Sequence, residues 1–336
     1  MTAILDTVLL LALPASGKSE VRRYLASLSL EQSGAEMHLG PTLQLDDYPY
    51  VHLMHEIDDA IVAQGHPSVF FLGPVRPFRD ALEWGTLIEL LNEDYARLLA
   101  RQTLETASAA ELLFDRLDAA RARVGLPKAL ETLPHRVWKA AARTVEAEAR
   151  RELDLLNHTT QQDRTGKTIV IEAARGGPHG AAFPLCPPRG YAYSLSMFSP
   201  AILSRASILY VQVTPEQSRQ KNIERGRPDG QGSILFHAVP MEVMLGEYGC
   251  DDMGWLVTQS DVADTVRVEK LVAAEGHYKL ETFHLPVAVF DNRADLTTFV
   301  RADRAHWAAD DVRRLHAGLA GGCATLAARP GPHLLA

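Results

Sequence analysis

A three-layer α/β/α fold built on a mainly parallel, five-stranded sheet is predicted by three features of the sequence. Residues 7–13, TVLLLAL, form an unbroken aliphatic run, the pattern of a strand covered on both faces. KTIVIEAARGG, Lys167 to Gly177, gives a second such strand: β-branched residues, then an acid, then a glycine turn. Segments of helical period separate successive strands, which requires crossover connections and hence parallel pairing with helices on both faces.

The elements follow in order. After the first strand a helix is predicted from about Lys18 to Leu28, with Val21, Tyr24, Leu25 and Leu28 on one face. PTLQLDDYPY, from Pro41, reads as a second strand ending in two carboxylates, and KTIVIE is the third. ASILYVQVTPEQSRQKNIERGR gives a fourth strand, Ile208 to Val213, and a helix starting near Pro215. LPVAVFDNRADLTTFV gives a fifth, Val287 to Phe290, with a turn and helix after it. Between the second and third strands, ALEWGTLIELLNEDYARLLARQ and HRVWKAAARTVEAEARRELDLLNH carry apolar residues at three- and four-residue spacing. The expected organisation is therefore a core of residues 1–50 and 164–320, a helical insertion or cap over 51–163, and a poorly ordered Gly-, Ala- and Pro-rich tail over 321–336.

Composition narrows the function classes. The 336 residues carry a net charge of -8 with no long basic run, which disfavours extended contact with a nucleic-acid backbone. Cys186, Cys250 and Cys323 are odd in number and widely separated, so neither a zinc cage nor a disulfide framework is indicated. The apolar run from Val8 to Pro14 is too short for a membrane span and follows Asp6 rather than a basic segment. A cytoplasmic protein without membrane or nucleic-acid partners is expected.

The chemistry centres on PASGKSE after the first strand. A strand, a small-residue loop and a helix place consecutive backbone N–H groups around an anion where the helix dipole is favourable. Pro14, Ala15, Ser16, Gly17, Lys18, Ser19 and Glu20 are the residues of that cradle. Lys18 would reach the outer phosphates of a nucleotide and the Ser19 hydroxyl would ligate Mg²⁺, while Gly17 allows close backbone approach. Ala12 stands where GxxxxGK[ST] has its first glycine; a small residue suffices there unless the backbone needs positive φ.

Together with LQLDDYPYV and PEQSRQKNIERGRPDG, this loop resembles the P-loop small-molecule kinases of the uridine kinase and nicotinamide riboside kinase type. The resemblance implies a P-loop NTPase fold, ATP/ADP and Mg²⁺ as ligands, and roles for the surrounding residues. Asp46 would orient or deprotonate an acceptor hydroxyl and Asp47 would join the Mg²⁺ shell, the alternative being that both simply cap the turn before Pro49. Glu172 would hold Mg²⁺ through water, with Arg175 offered to an anion at the same sheet edge. Arg219, Lys221, Arg225 and Arg227 match a lid, Arg225 or Arg227 engaging phosphate. Asn292, in the turn Asp291 to Asp295, would pass near the adenine, or else that turn only caps the next helix.

The leading expectation is a kinase moving the γ-phosphoryl group of Mg-ATP to a small-molecule hydroxyl. The alternative is an NTPase whose hydrolysis drives a conformational switch or partner binding; a nucleotide-binding module without turnover is the third class. His52 and His55, three apart, offer two nitrogens to a metal but no third ligand. Cys250, Asp251 and Asp252 could line a pocket or form a turn. Acceptor identity and oligomeric state are left open.

Overall fold

The computed structural model describes residues 3–226 and 238–335. In chain order the elements are β1 (Ile4–Leu5), β2 (Thr7–Leu11), α1 (Lys18–Ser27), α2 (Leu30–Met37), β3 (Thr42–Asp46), α3 (Tyr48–Val62), α4 (Glu83–Ala100), α5 (Ala109–Arg123) and α6 (His135–Gln161). Then come β4 (Thr168–Ala173), α7 (Gly190–Met197), α8 (Pro200–Leu203), β5 (Ala206–Gln212), α9 (Pro215–Arg225), α10 (Met241–Gly246), α11 (Met253–Gln259), β6 (Thr265–Ala274), β7 (His277–Asp291), α12 (Ala309–Ala327) and β8 (Leu334–Leu335). The main sheet has the order β3-β4-β2-β5-β7-β6. Its first five strands are parallel neighbours and β6 runs antiparallel to β7.

Alternation along β2 distributes its side chains to two cores. Val8 and Leu10 face a layer holding Val21 and Tyr24 of α1 and Leu315 and Leu319 of α12. Leu9 and Leu11 face one holding Ile88, Leu91 and Tyr95 of α4, Leu195 of α7 and Leu256 of α11. The region between β3 and β4 is thus divided: α4 covers the sheet, while α3, α5 and α6 form a separate cluster with Phe70, Phe71, Phe78 and Trp84. Two aspartates shape the loops of that cluster. Asp58 accepts the N–H groups of Val69, Phe70 and Phe71, and Asp118 those of Ala129, Leu130 and Glu131.

Two expectations are corrected. The sheet has six strands rather than five, because the last parallel strand begins ten residues earlier than the aliphatic run and folds back on β6 through Glu275 and Gly276, the glycine at φ 73°. That arm reads poorly as strand because much of it is exposed, and Pro286 argues against a ladder. The proline is tolerated because pairing of β7 with β5 starts only at Val287, whose own N–H donates to Asp264 on the β6 side. The tail is also ordered through its described residues. Gly318 lets α12 lie against Phe290, where an added Cβ would come within 2.8 Å of the ring. Leu334 and Leu335 then pair with Leu5 and Ile4. Composition marked residues 321–336 as loose; Cys323 and Leu326 instead continue the buried face that Leu315 and Leu319 begin, the spacing of a packed helix. Among the described residues no helix is long and apolar enough to cross a membrane.

Candidate functional site

The carboxyl ends of β2, β3, β4, β5 and β7 share one edge of the sheet, and the connections diverge on either side of β2, the place where open α/β sheets bind ligands. There the chain leaves β2 and turns through two left-handed residues, Ala15 (φ 55°) and Gly17 (φ 105°), before α1 starts without a side-chain cap. A Cβ on Gly17 would sit 2.4 Å from Thr297 Oγ1 and 2.8 Å from Asn292 Nδ2, so the glycine is required by both angle and space. Ala12 is fully buried and lies outside the left-handed region, and its carbonyl accepts the Tyr191 hydroxyl at 2.9 Å. The methyl group at that position is therefore harmless to the loop.

Lys18 lies back along the strands, its Nζ donating to the carbonyls of Ala173 (3.1 Å) and Ala12 (3.4 Å). Burial lowers its pKa, opposed by Glu172, Asp47 and Asp46. Asp46 and Glu172 are register partners on adjacent strands, and Arg22 stands against both, 3.7 Å from the first and 2.7 Å from the second. Burial and the charges of Glu172 and Asp47 push the Asp46 carboxyl up to about 7; burial likewise raises Glu172. Asp46 caps as well as lining the edge: its Oδ1 accepts the N–H of Tyr48 at 2.9 Å. Asp47 pairs with Arg175 at 2.5 Å. The Arg175 guanidinium, 2% exposed, lies 4.9 Å from the Trp84 ring centre, and its Nε and Nη2 have no partner among the described residues.

The structure thus brings Lys18, Asp46, Asp47, Glu172 and Arg175 to one edge. Arg219 and Arg225 lie on α9, which is bound to the loop by the Ser218 hydroxyl donating to the Pro14 carbonyl at 2.7 Å. Arg219 Nη1, Arg225 Nε and Ser16 Oγ are buried without hydrogen-bond partners among the described residues. Arg227 lies outside the described residues.

The side chains of two expected ligand contacts are taken up as supports. The carboxylate of Glu20, 1% exposed, pairs with Arg225 at 3.3 Å and Arg301 at 2.6 Å, so it joins α1 to α9 and to the segment after β7 rather than facing an anion. Asn292 spends its side chain on the loop itself: Nδ2 donates to Ser16 O (2.7 Å) and Thr297 Oγ1 (2.8 Å), and Oδ1 accepts the Leu296 N–H. Both donors of that amide are therefore committed to the loop and to Thr297.

Arg22 is the residue the sequence reading passed over. It lies one turn beyond Lys18 on α1, and that i, i+4 spacing on a helix leaving the loop was the available signal. Tyr191, Ser218 and Trp84 came from distant segments with no local signal. Of the other residues considered, His52 pairs with Glu148 at 2.8 Å and His55 stacks on Phe71 with ring centres 3.6 Å apart. Asp252 accepts the N–H groups of Tyr191 and Ala192 at the start of α7, and Asp251 accepts the Tyr210 hydroxyl. Cys250 is held by a bridge to Gly177, and burial raises its thiol pKa.

Beside this edge a cavity of about 380 Å³ opens under α3, α5 and α6, with Asp46 and Arg22 among its lining. Comparison of the chain with family models, with curated proteins and with solved structures gave no match.

Proposed function

We propose that the protein is a P-loop phosphotransferase that moves the γ-phosphoryl group of Mg-ATP to a hydroxyl of a small molecule. One observation carries the reading: among the described residues, most of the buried polar atoms without hydrogen-bond partners around residues 14–19 are able to donate, with Glu172 Oε1 the acceptor beside them. Ser16 Oγ, Arg175 Nε and Nη2, Arg219 Nη1 and Arg225 Nε lie on the loop or on elements bound to it, beside the uncapped start of α1. Buried donors left unmade cost about 1–3 kcal/mol each, a cost a triphosphate removes by accepting from several at once.

In this reading the amides of Lys18 and Ser19 and the Lys18 ammonium hold the phosphates, Lys18 moving from its carbonyl contacts to do so. Arg175 offers its two free N–H groups to the transferring group, its charge held in place by Asp47 and the Trp84 face. Asp46 accepts the proton of the acceptor hydroxyl; a carboxyl at about 7 is divided between its two forms near neutrality, which suits late proton acceptance. The oxygens available to Mg²⁺ are the Ser19 hydroxyl, Glu172 and Asp47. Among the described residues no cluster of three or more His, Cys, Asp or Glu side chains is arranged to hold an ion alone. That fits an ion taking one or two protein oxygens and the rest from phosphate and water. Bound there, it would neutralise charge on the phosphate oxygens.

The test is ADP release from Mg-ATP with and without pooled hydroxyl compounds. Stimulation by one pool, lost in Lys18→Ala, is the expected result. Release indifferent to every pool replaces transfer with hydrolysis, and no Mg-ATP binding removes the phosphate-loop reading altogether.

A further inference from the structure

The cavity beside Asp46 has the opposite chemistry from the loop. Its walls are hydrocarbon, with Leu53, Leu112, Leu113, Leu153 and Leu156 prominent. Its strong donors are committed elsewhere. The Arg116 guanidinium is bound to Asp94 (2.5 Å) and Glu93 (3.2 Å), the Tyr50 hydroxyl donates to Asp94 (2.5 Å), and Arg22 is held by Glu172 and Asp46. Glu152 on α6, half-buried in the lining, has no hydrogen bond or ion pair among the described residues. Its neighbour one turn back, Glu148, is already taken by His52. Gln44 Oε1, also in the lining, is buried with no donor among the described residues. The hydroxyls of Tyr48 and Thr159 accept as readily as they donate.

A ligand filling this space must therefore bring donors and a positive charge on a largely apolar body. A sugar would set many hydroxyls against leucine, each losing its water without a partner. An acid would place a second carboxylate beside Glu152. From the apolar walls, the free Glu152 carboxylate and the orphaned Gln44 carbonyl, we propose that the acceptor is a basic amino alcohol with a hydrocarbon body, its ammonium on Glu152 and its hydroxyl toward Asp46. This rests on the phosphotransferase reading for the role of the hydroxyl; the ammonium site stands on the cavity alone.

The experiment is calorimetric titration of the full chain with linear, cyclic and aromatic primary amino alcohols and their N-acetyl derivatives, which keep the scaffold and remove the charge. At least one amine is expected to bind about tenfold or more tightly than its acetylated form. Glu152→Gln is expected to erase that preference and Glu152→Asp to retain part of it, with melting curves showing both variants folded. Binding by no amine, equal or tighter binding of the acetylated forms, or a preference surviving in Glu152→Gln overturns the proposal. Mg-ADP titrated into the same protein keeps the two readings apart. Nucleotide binding without an amine preference removes the amino alcohol and leaves the phosphotransferase. An amine preference without nucleotide binding removes the phosphotransferase and leaves a cationic site.

Discussion

Around the Gly-Lys-Ser loop most buried atoms without hydrogen-bond partners among the described residues are nitrogens and a hydroxyl, Glu172 Oε1 being the exception, whereas the cavity under α6 offers oxygens, the buried Oε1 of Gln44 and the half-buried carboxylate of Glu152. The two regions meet at Arg22 and Asp46, which line the cavity while standing at the strand ends with Lys18 and Glu172. This bias is what the two proposed ligands would need, a polyanion on one side and a donor-rich molecule on the other. It also explains the crowding of charge at the boundary, where Asp46, Asp47 and Glu172 stand against Arg22, Arg175 and Lys18.

The severest way to break the comparison is to remove its positive pole. Lys18→Ala should lower turnover by about 10³-fold, near the upper end of what one preorganised charge contributes, measured as ADP release. Near-normal activity would mean the orphaned donors serve something other than phosphate. Asp46→Asn acts at the boundary and should slow transfer by about 10²–10³-fold while leaving Mg-ADP affinity within about threefold, read by pairing kinetics with calorimetry. In the parent protein kcat/KM should rise with pH through about 7 as this carboxyl, coupled to Glu172 and Asp47, loses its proton; in Asp46→Asn that step should vanish. Stability moves the other way. A carboxyl whose folded pKa is raised contributes stability below its unfolded value, and this is lost as pH climbs toward about 7. Asp46→Asn should therefore melt higher than the parent at pH 8 and show little difference at pH 4.

Smaller effects sharpen the picture from its supports. Glu20→Gln leaves Arg225 and Arg301 facing each other without their carboxylate and should cost about 3–5 kcal/mol in urea unfolding. Burial raises the Glu20 pKa, but the two arginines outweigh it and the net shift is downward. The parent should thus lose this contribution as pH falls through the ordinary carboxylate range. Tyr50→Phe removes one hydrogen bond to the buried Asp94 behind the cavity and should cost about 1–2 kcal/mol by the same assay. A larger loss would mean that Arg116 does not hold Asp94 by itself.

Legibility in the sequence followed the range of the interactions. The aliphatic runs of β2, β4 and β5 are buried on both faces, so hydrophobic continuity alone located them. The β6–β7 hairpin was hidden because an arm standing clear of the core carries charge and polarity where a buried strand would not. The end of α12 beyond residue 320 was hidden by composition, its glycines signalling looseness where Gly322 in fact lies against Ala288 and Leu209. At the site, residues belonging to a local motif, from Pro14 to Ser19, or to a strand end, such as Asp46 and Glu172, could be named in advance. The side-chain partners of Glu20 and Asn292 could not be foreseen, because they are Arg225, Arg301, Ser16 and Thr297, most of them distant in sequence. The cavity depends on how α3, α5 and α6 pack, and helical periodicity says which face is apolar without saying what space is left between faces.

The bond from Asn292 to Ser16 closes a chain segment of 276 residues. During synthesis the loop leaves the ribosome early, yet its support and the neighbour that forbids a side chain at position 17 are made only near the end. Contacts of such sequence separation form late in folding. If the loop binds nucleotide as proposed, that affinity should depend on the segment around Asn292 being in place. Nascent or truncated forms ending before residue 292 should stay indifferent to ligand, and protection of the loop amides from hydrogen exchange should appear together with closure of β7 onto β5.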